Sequence, residues 1–243
     1  FTTLLKSLGA TNFDKTAIET LISFHKGEDC LIDNLFPKEG QSRPSVRFHG
    51  FSEDWVEVEL NTIADKVTQK NTSEKVTRVF TNSATLGIID QSDYFDKSIA
   101  NINNISGYYI LENEAFVYNP RTSTQAPVGP INMNKTGNTG IVSPLYLVFK
   151  THDVDPGFLE YYFKTNLWHK YMRFNGGVGA RGDRFSIKTD LFFTMPIKLP
   201  KDIEEQKLIR RLIDVIVKLT KLQDLRLQKY KNLKASFLDK LFI

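Results

Sequence analysis

Apolar residues recur every three or four positions in two stretches of the chain and alternate with polar residues in several others. The first helical stretch is "DPGFLEYYFKTNLWHKYMRFNGG", residues 155–177. Leu159, Phe163, Leu167, Tyr171 and Phe174 line one face of it, which predicts a single amphipathic helix with that stripe in the core. Asp155 is placed to cap the helix and Pro156 suits its first turn. Asn175-Gly176 predicts a left-handed stop.

The second stretch is the tail, "KDIEEQKLIRRLIDVIVKLTKLQDLRLQKYKNLKASFLDKLFI", residues 201–243. Asp202 with Glu205 makes a capping-box-like start just after Pro200. Ile209, Leu212, Ile216 and Leu219 then alternate by three and four. After polar Gln223 and Arg226 the pattern resumes at Tyr230, Leu233 and Phe237. About 40 residues without Gly or Pro predict a rod of roughly 60 Å. Such a rod exposes too much apolar surface to stand alone, so it calls for a partner helix. The competing reading folds it back on its own domain, where only the short N-terminal region offers a helical partner.

Between residues 44 and 150 the pattern shortens to β-like runs, "WVEVEL", "TRVFTN", "YYIL", "AFVYN" and "PLYLVFK". Turn-rich connectors such as "PRTSTQAPVGP" and "NKTGNTG" separate them. The fold class expected is α+β: a domain with a curved, mainly β sheet plus helices, followed by a long coiled-coil-type C-terminal helix. Three regions follow: an N-terminal helical connector over 1–41, a globular domain over 42–200 and the helix over 201–243.

The loop "GGVGARGDRF", residues 176–185, has Gly177, Gly179 and Gly182 at the dinucleotide-binding spacing. That reading needs a strand before the loop and a helix after it. Here a predicted helix precedes it, and "RFSIKTDLFFTMPIKLP" after it reads as strands and loop. A P-loop reading of "GDRFSIKT" fails as well, because Ile187 stands where the second glycine is needed. What remains is a glycine-rich loop bearing Arg181 and Arg184, directly after a helix bearing Lys164, Lys170 and Arg173. Glycines let a backbone approach a surface closely while arginines reach phosphates or guanine edges. A plain surface turn with incidental charge is the alternative.

Charge sharpens this picture. The net charge of +4 divides into −4 over residues 1–60 and +8 over the remainder. Residues 163–190 hold six basic and two acidic side chains, and 201–243 hold eleven and six. A basic stripe is the footprint of a polyanion partner. For the tail alone, solvated lysines on an exposed helix explain it equally well.

Other chemistries are set aside by residue type. Cys30 is the sole cysteine, which excludes an intrachain disulfide framework and predicts a reducing, cytoplasmic setting. His25, His49, His152 and His169 show no metal-ligand spacing, so neither a metal nor a cofactor is expected. No run approaches the ~20 apolar residues of a membrane span, and no signal-peptide pattern opens the chain. It begins at Phe1, which predicts a removed upstream segment or a longer polypeptide. An Asn/Asp-Pro-Pro-aromatic turn for a flipped adenine is missing, since "YNPRT" has Arg121 and Thr122 in place of the second proline and the aromatic. No catalytic triad can be argued from spacing, so the expected job is binding without catalysis.

An internal echo accompanies these elements. "LIDNLFPKEG" at 31–40 resembles "FLDKLFI" at 237–243, with Asp33, Leu35 and Phe36 matching Asp239, Leu241 and Phe242. It predicts a module flanked by equivalent helical connectors.

Five phrases in order, "PSVRFHGFSEDWVEVEL" at 44–60, "AFVYNPRTSTQAPVGPIN" at 115–132, "TGIVSPLYLVF" at 139–149, "GARGDRFSI" at 179–187 and the helix at 203–242, carry a family likeness. They resemble the DNA-specificity (S) subunits of bacterial type I restriction-modification systems. That resemblance implies a target-recognition domain followed by a long helix, a unit usually present twice per chain. Each domain reads one half of a split DNA sequence. The two helices pack antiparallel, set the spacing between half-sites and dock two methyltransferase subunits. One recognition domain and one complete helix here look like a half-subunit. Two copies would then rebuild the reader and take a palindromic, interrupted target with half-sites about 10 bp apart.

The resemblance also implies partners and roles. The partners are double-stranded DNA, type I methyltransferase (M) subunits, restriction (R) subunits through them, and a second copy of the chain. Lys164, Lys170, Arg173, Arg181, Arg184 and Lys188 would meet DNA, with phosphate contacts that make affinity fall as salt rises. Arg121, Asn132, Asn134 and Lys135 lie in polar loops and have side-chain types that read base edges. The partner methyltransferases would supply the methyl donor and flip the adenine. Two other readings stay open: a non-catalytic adaptor that dimerises through its coiled-coil helix, and a small enzyme whose site the sequence does not disclose.

Overall fold

The computed structural model describes residues 32, 34–91, 105–179 and 182–241. It is an α+β protein of short antiparallel strand pairs and one long C-terminal helix. The chain divides into two compact units, Asp54–Gln206, and Phe1–Glu53 with Lys207–Ile243. Among the described residues no helix is long and apolar enough to cross a membrane.

The unit Asp54–Gln206 is closed by its own ends. Strand β1 (Val56–Glu59) pairs antiparallel with β12 (Pro196–Leu199), Val56 opposite Leu199 and Val58 opposite Ile197. The alternation in "VEVE" turns both glutamates to solvent and both valines inward. The central sheet has the order β2 (Ala64–Lys66), β9 (Leu147–Thr151), β6 (Phe116–Tyr118), β7 (Ile131–Met133). All residues of β6 and β7 are buried, because both faces of this sheet are covered.

Alternation sorts β6 into two layers. Phe116 stacks on Phe149 at 5.2 Å, and Phe163 meets both edgewise at 6.0 and 6.2 Å. Tyr118 meets Phe192 at 5.0 Å on the same side. Val117 and Val148 point the other way, into a cluster with Phe80, Ile88, Leu111 and Val142. Two further pairs supply that cluster: β3 (Phe80–Ser83) with β4 (Gly87–Asp90), and β5 (Tyr109–Leu111) with β8 (Gly140–Val142).

The helix predicted over 155–175 is two helices, α1 (Pro156–Tyr162) and α2 (His169–Asn175). Its start is as expected: Asp155 Oδ1 accepts from the Phe158 amide at 2.8 Å, and Pro156 opens the first turn. The break comes at Thr165. Its amide and its hydroxyl both donate to the Tyr162 carbonyl, at 3.0 and 2.7 Å, which takes the acceptor a continuing helix would use. Trp168 then donates its indole N–H to the Phe163 carbonyl at 3.3 Å.

The break rotates the apolar stripe. Leu159 and Phe163 are buried as expected, but Trp168 and Met172 continue the core in place of Leu167 and Tyr171. Phe174, expected inside, is 89% exposed. The stop also differs, since Gly176 is extended at φ −142 and not left-handed. A Cβ there would lie 2.5 Å from the Ser186 carbonyl oxygen and 2.6 Å from the Phe185 ring. Close approach, not backbone hand, requires this glycine.

After α2 come β10 (Gly177–Val178) and β11 (Phe185–Ser186), paired as a hairpin. The stretch expected to be strand and loop contains a short helix, α3 (Thr189–Phe193), whose Phe192 is buried against Tyr118 and Phe149. Tertiary packing of one phenylalanine therefore overrides a β-rich composition.

Helix α4 (Ile203–Leu241) is unbroken over 39 residues. Asp202 Oδ1 accepts from the Glu204 amide at 2.8 Å and so caps it. Gln206 is buried and ties the Asp155 amide to the Pro200 carbonyl, both at 2.9 Å. Further along, Ile209 and Leu212 were expected on a seam open to a partner helix. They are already buried within the chain, with Ile213 beside them, and Leu35, Phe36 and Phe48 are buried in the same unit. Ile216 and Leu219 are half-buried, whereas Tyr230, Leu233 and Phe237 are exposed. The echo residues Asp33 and Phe242, and residues 1–31 of the N-terminal connector over 1–41, lie outside the described residues.

Candidate nucleic-acid interface

The hairpin β10–β11 carries the glycine loop on a fixed frame. The Gly179 amide donates to the Arg184 carbonyl at 2.9 Å, and the Gly182 amide donates back to Gly179 at 2.8 Å. Gly182 sits at φ +74, where only glycine is unstrained. A second segment clasps the loop from outside: the Phe185 amide donates to Pro120 at 2.8 Å, and the Thr122 amide to Asp183 at 3.0 Å. Arg121 and Arg184 become antiparallel bridge partners, both exposed. Asn119 holds this segment from inside by accepting from the Arg121 amide at 3.0 Å and donating to the Asn82 carbonyl at 3.0 Å.

Two guanidinium groups directly across a β-bridge repel one another. Neither makes an ion pair among the described residues. Pairing across the bridge therefore brings two exposed arginines to facing positions without an ion pair among the described residues, an arrangement that suits an external anion. Arg184 also rims a cleft of about 420 Å³ that is walled by Tyr109, Tyr118 and Tyr146, with Lys66 on its lining. Burial raises the Tyr118 hydroxyl above its usual range, so that hydroxyl stays protonated and donates to the Val128 carbonyl at 2.9 Å.

The remaining sequence-selected residues fall into three groups. Lys170, Arg173 and Lys188 are exposed on or beside α2 and α3. Lys135 and Lys164 flank Glu160, a carboxylate that is 3% exposed, at 3.3 and 3.5 Å; its other oxygen accepts from the Met133 amide at 2.7 Å. These lysines thus compensate an internal charge. Asn132 and Asn134 are buried and their amides are used inside. Asn132 accepts from Lys164 Nζ at 2.5 Å and donates to Asn82 at 2.6 Å, while Asn134 organises the turn at Thr136 and Asn138. As placed, neither amide faces outward. Arg181 lies outside the described residues.

One histidine borders this region. Burial, then the neighbouring Arg173, lowers the His169 pKa to about 4, so the ring is neutral near pH 7 and adds no charge to the surface. Lys66 lines the cleft and Phe174 is exposed on α2, and neither stands out by residue type. Nothing in the local sequence of either marks it, because Lys66 reaches the cleft through sheet pairing and the helical period turned Phe174 inward.

No family model and no curated protein matches the chain. Solved structures do. A chain from a type I R-M system, solved to explain complex assembly and conformational transition, superposes with a TM-score of 0.51 at 12% identity, over 76% of this chain and 47% of that one. The chain shares its fold with that type I R-M component. The HsdS subunit from Thermoanaerobacter tengcongensis is also matched, at a TM-score of 0.47 and 14% identity, over 84% of this chain and 46% of that one. The chain thus spans about half the length of the solved chains it matches.

Proposed function

We propose that the chain is a DNA-specificity component of a type I restriction-modification enzyme. It reads one half of a bipartite target in double-stranded DNA and docks the methyltransferase subunits. It performs no catalysis of its own: the methyl donor site and the flipped adenine belong to the methyltransferase, and restriction subunits join through it. The observation that supports this most is the Arg121–Arg184 bridge, which sets two exposed arginines opposite one another with no ion pair to either among the described residues. An arginine fork suits both phosphate oxygens and the O6/N7 edge of guanine. Arg173, Lys170 and Lys188 extend the charge and serve as phosphate contacts.

The exposed second half of α4 supports association with a second copy, through Tyr230, Leu233 and Phe237. The same exposed face also favours the second reading, an adaptor that dimerises through α4 and owes its charge to solubility. A gel-shift titration at two salt concentrations separates them. A DNA reader loses affinity steeply as salt rises, by about 10³–10⁵ between 50 and 200 mM for six to ten phosphate contacts. An adaptor gives no shift at either concentration, alone or with the methyltransferase, and that result would sink the DNA reading.

A further inference from the structure

Phe174 is the most exposed large apolar side chain among the described residues, at 89%. Single exposed apolar residues are ordinary, so exposure alone says little. Its setting says more. The backbone on either side is pinned: Met172 is fully buried, the Tyr171 hydroxyl donates to the Leu191 carbonyl at 2.8 Å, and Asn175 Nδ2 donates to the Tyr171 carbonyl at 3.0 Å. Gly176 is then packed against Phe185 and Ser186. A rigid mount thus presents a ring that the fold itself does not use. Arg173 adjoins it and Lys170 lies one turn back on the same helix face, both exposed. The hairpin that follows carries exposed Val178 and Arg184.

A flat apolar surface within a field of cations fits one class of partner best, a polymer of apolar aromatic faces linked by anions. We infer that Phe174 is a wedge that stacks on a DNA base or inserts at a base step, while Arg173 and Lys170 hold the adjoining phosphates. This inference rests on the DNA-reading function proposed above. Because its mount is rigid in the free chain, the wedge costs little ordering on binding. Stacking tolerates any base, so Phe174 adds affinity and bends the duplex without reading sequence itself.

The test uses the full chain and a mixed-sequence DNA duplex. Phe174→Ala should weaken binding about tenfold and leave the slope of affinity against salt unchanged. Phe174→Leu, which keeps apolar bulk without an aromatic face, should recover only part of that loss. In Phe174→Trp the new indole is exposed, whereas Trp55 and Trp168 are buried. Its emission should be quenched by the duplex and shielded from acrylamide. Wild-type affinity in Phe174→Ala, or unquenched emission in Phe174→Trp while the duplex still shifts with salt-dependent affinity, overturns the wedge and leaves the DNA reading intact. Quenching by the methyltransferase in place of DNA also overturns it. If the wild-type chain binds no duplex under any condition, wedge and DNA reading fall together.

Discussion

At the scale of single residues, position decides which cations can meet a polyanion. Lys164 and Arg184 are both basic and both belong to the most basic stretch of the unit, but the fold uses them differently. Lys164 sits 3.5 Å from the buried Glu160 carboxylate and 2.5 Å from the buried Asn132 amide oxygen, so its charge is committed inward. Arg184 is exposed opposite Arg121 and makes no ion pair among the described residues. Lys164→Met should therefore destabilise the fold by about 1–3 kcal/mol, since it strips a hydrogen-bonded charge from a buried carboxylate. In the same variant the salt slope of DNA binding should hardly change. Arg184→Ala should do the reverse: unchanged denaturation and a slope shallower by about one counterion. Denaturant titration and salt-dependent binding on both variants check the pair. Residue type selected both residues from the sequence. What separated them is a buried glutamate on one side and a β-bridge between distant segments on the other, and neither leaves a local trace. Asn132 and Asn134 make the same point, because an amide that can read adenine is equally suited to capping an internal turn.

At the scale of elements, α4 shows how far periodicity reaches. Its heptad spacing was legible in full, from Ile209 through Phe237, and the helix is continuous as expected. Periodicity does not say which turns are already covered. Ile209 and Leu212 are buried in the single chain, and Tyr230, Leu233 and Phe237 are not. Leu212→Ala should then cost about 2–5 kcal/mol of stability, as a core truncation does. Leu233→Lys with Phe237→Lys should leave the monomer folded and weaken self-association, read by sedimentation across a concentration series. Unchanged sedimentation in that double variant would remove α4 as a dimer seam. The other predicted helix failed midway for a chemical reason. Thr165 offers its hydroxyl to the carbonyl of Tyr162, and the apolar spacing of the stretch runs on past that competition undisturbed. Phe174 was turned outward as a consequence, which is how the most exposed ring of the described chain came from a stripe that reads as core.

At the scale of the whole molecule, one α+β unit and one long helix raise the question of symmetry. The chain spans 47% of the solved type I chain whose fold it shares, and the proposed reading of a split target by two copies of it makes a prediction about symmetry. Two identical chains joined by one self-complementary seam are related by a two-fold axis. Their target then has inverted half-sites of the same sequence, about one helical turn or about 10 bp apart. Co-expression with a type I methyltransferase, followed by mapping of methylated adenines, should show one interrupted palindrome, methylated once in each half. Replacing residues 61–195 with another recognition domain should change both halves together and leave their separation alone, because separation depends on the seam and sequence on the loops. An asymmetric split motif would show that the chain works beside a different second reader. No new motif at all, with the swap changing nothing, would remove the specificity function.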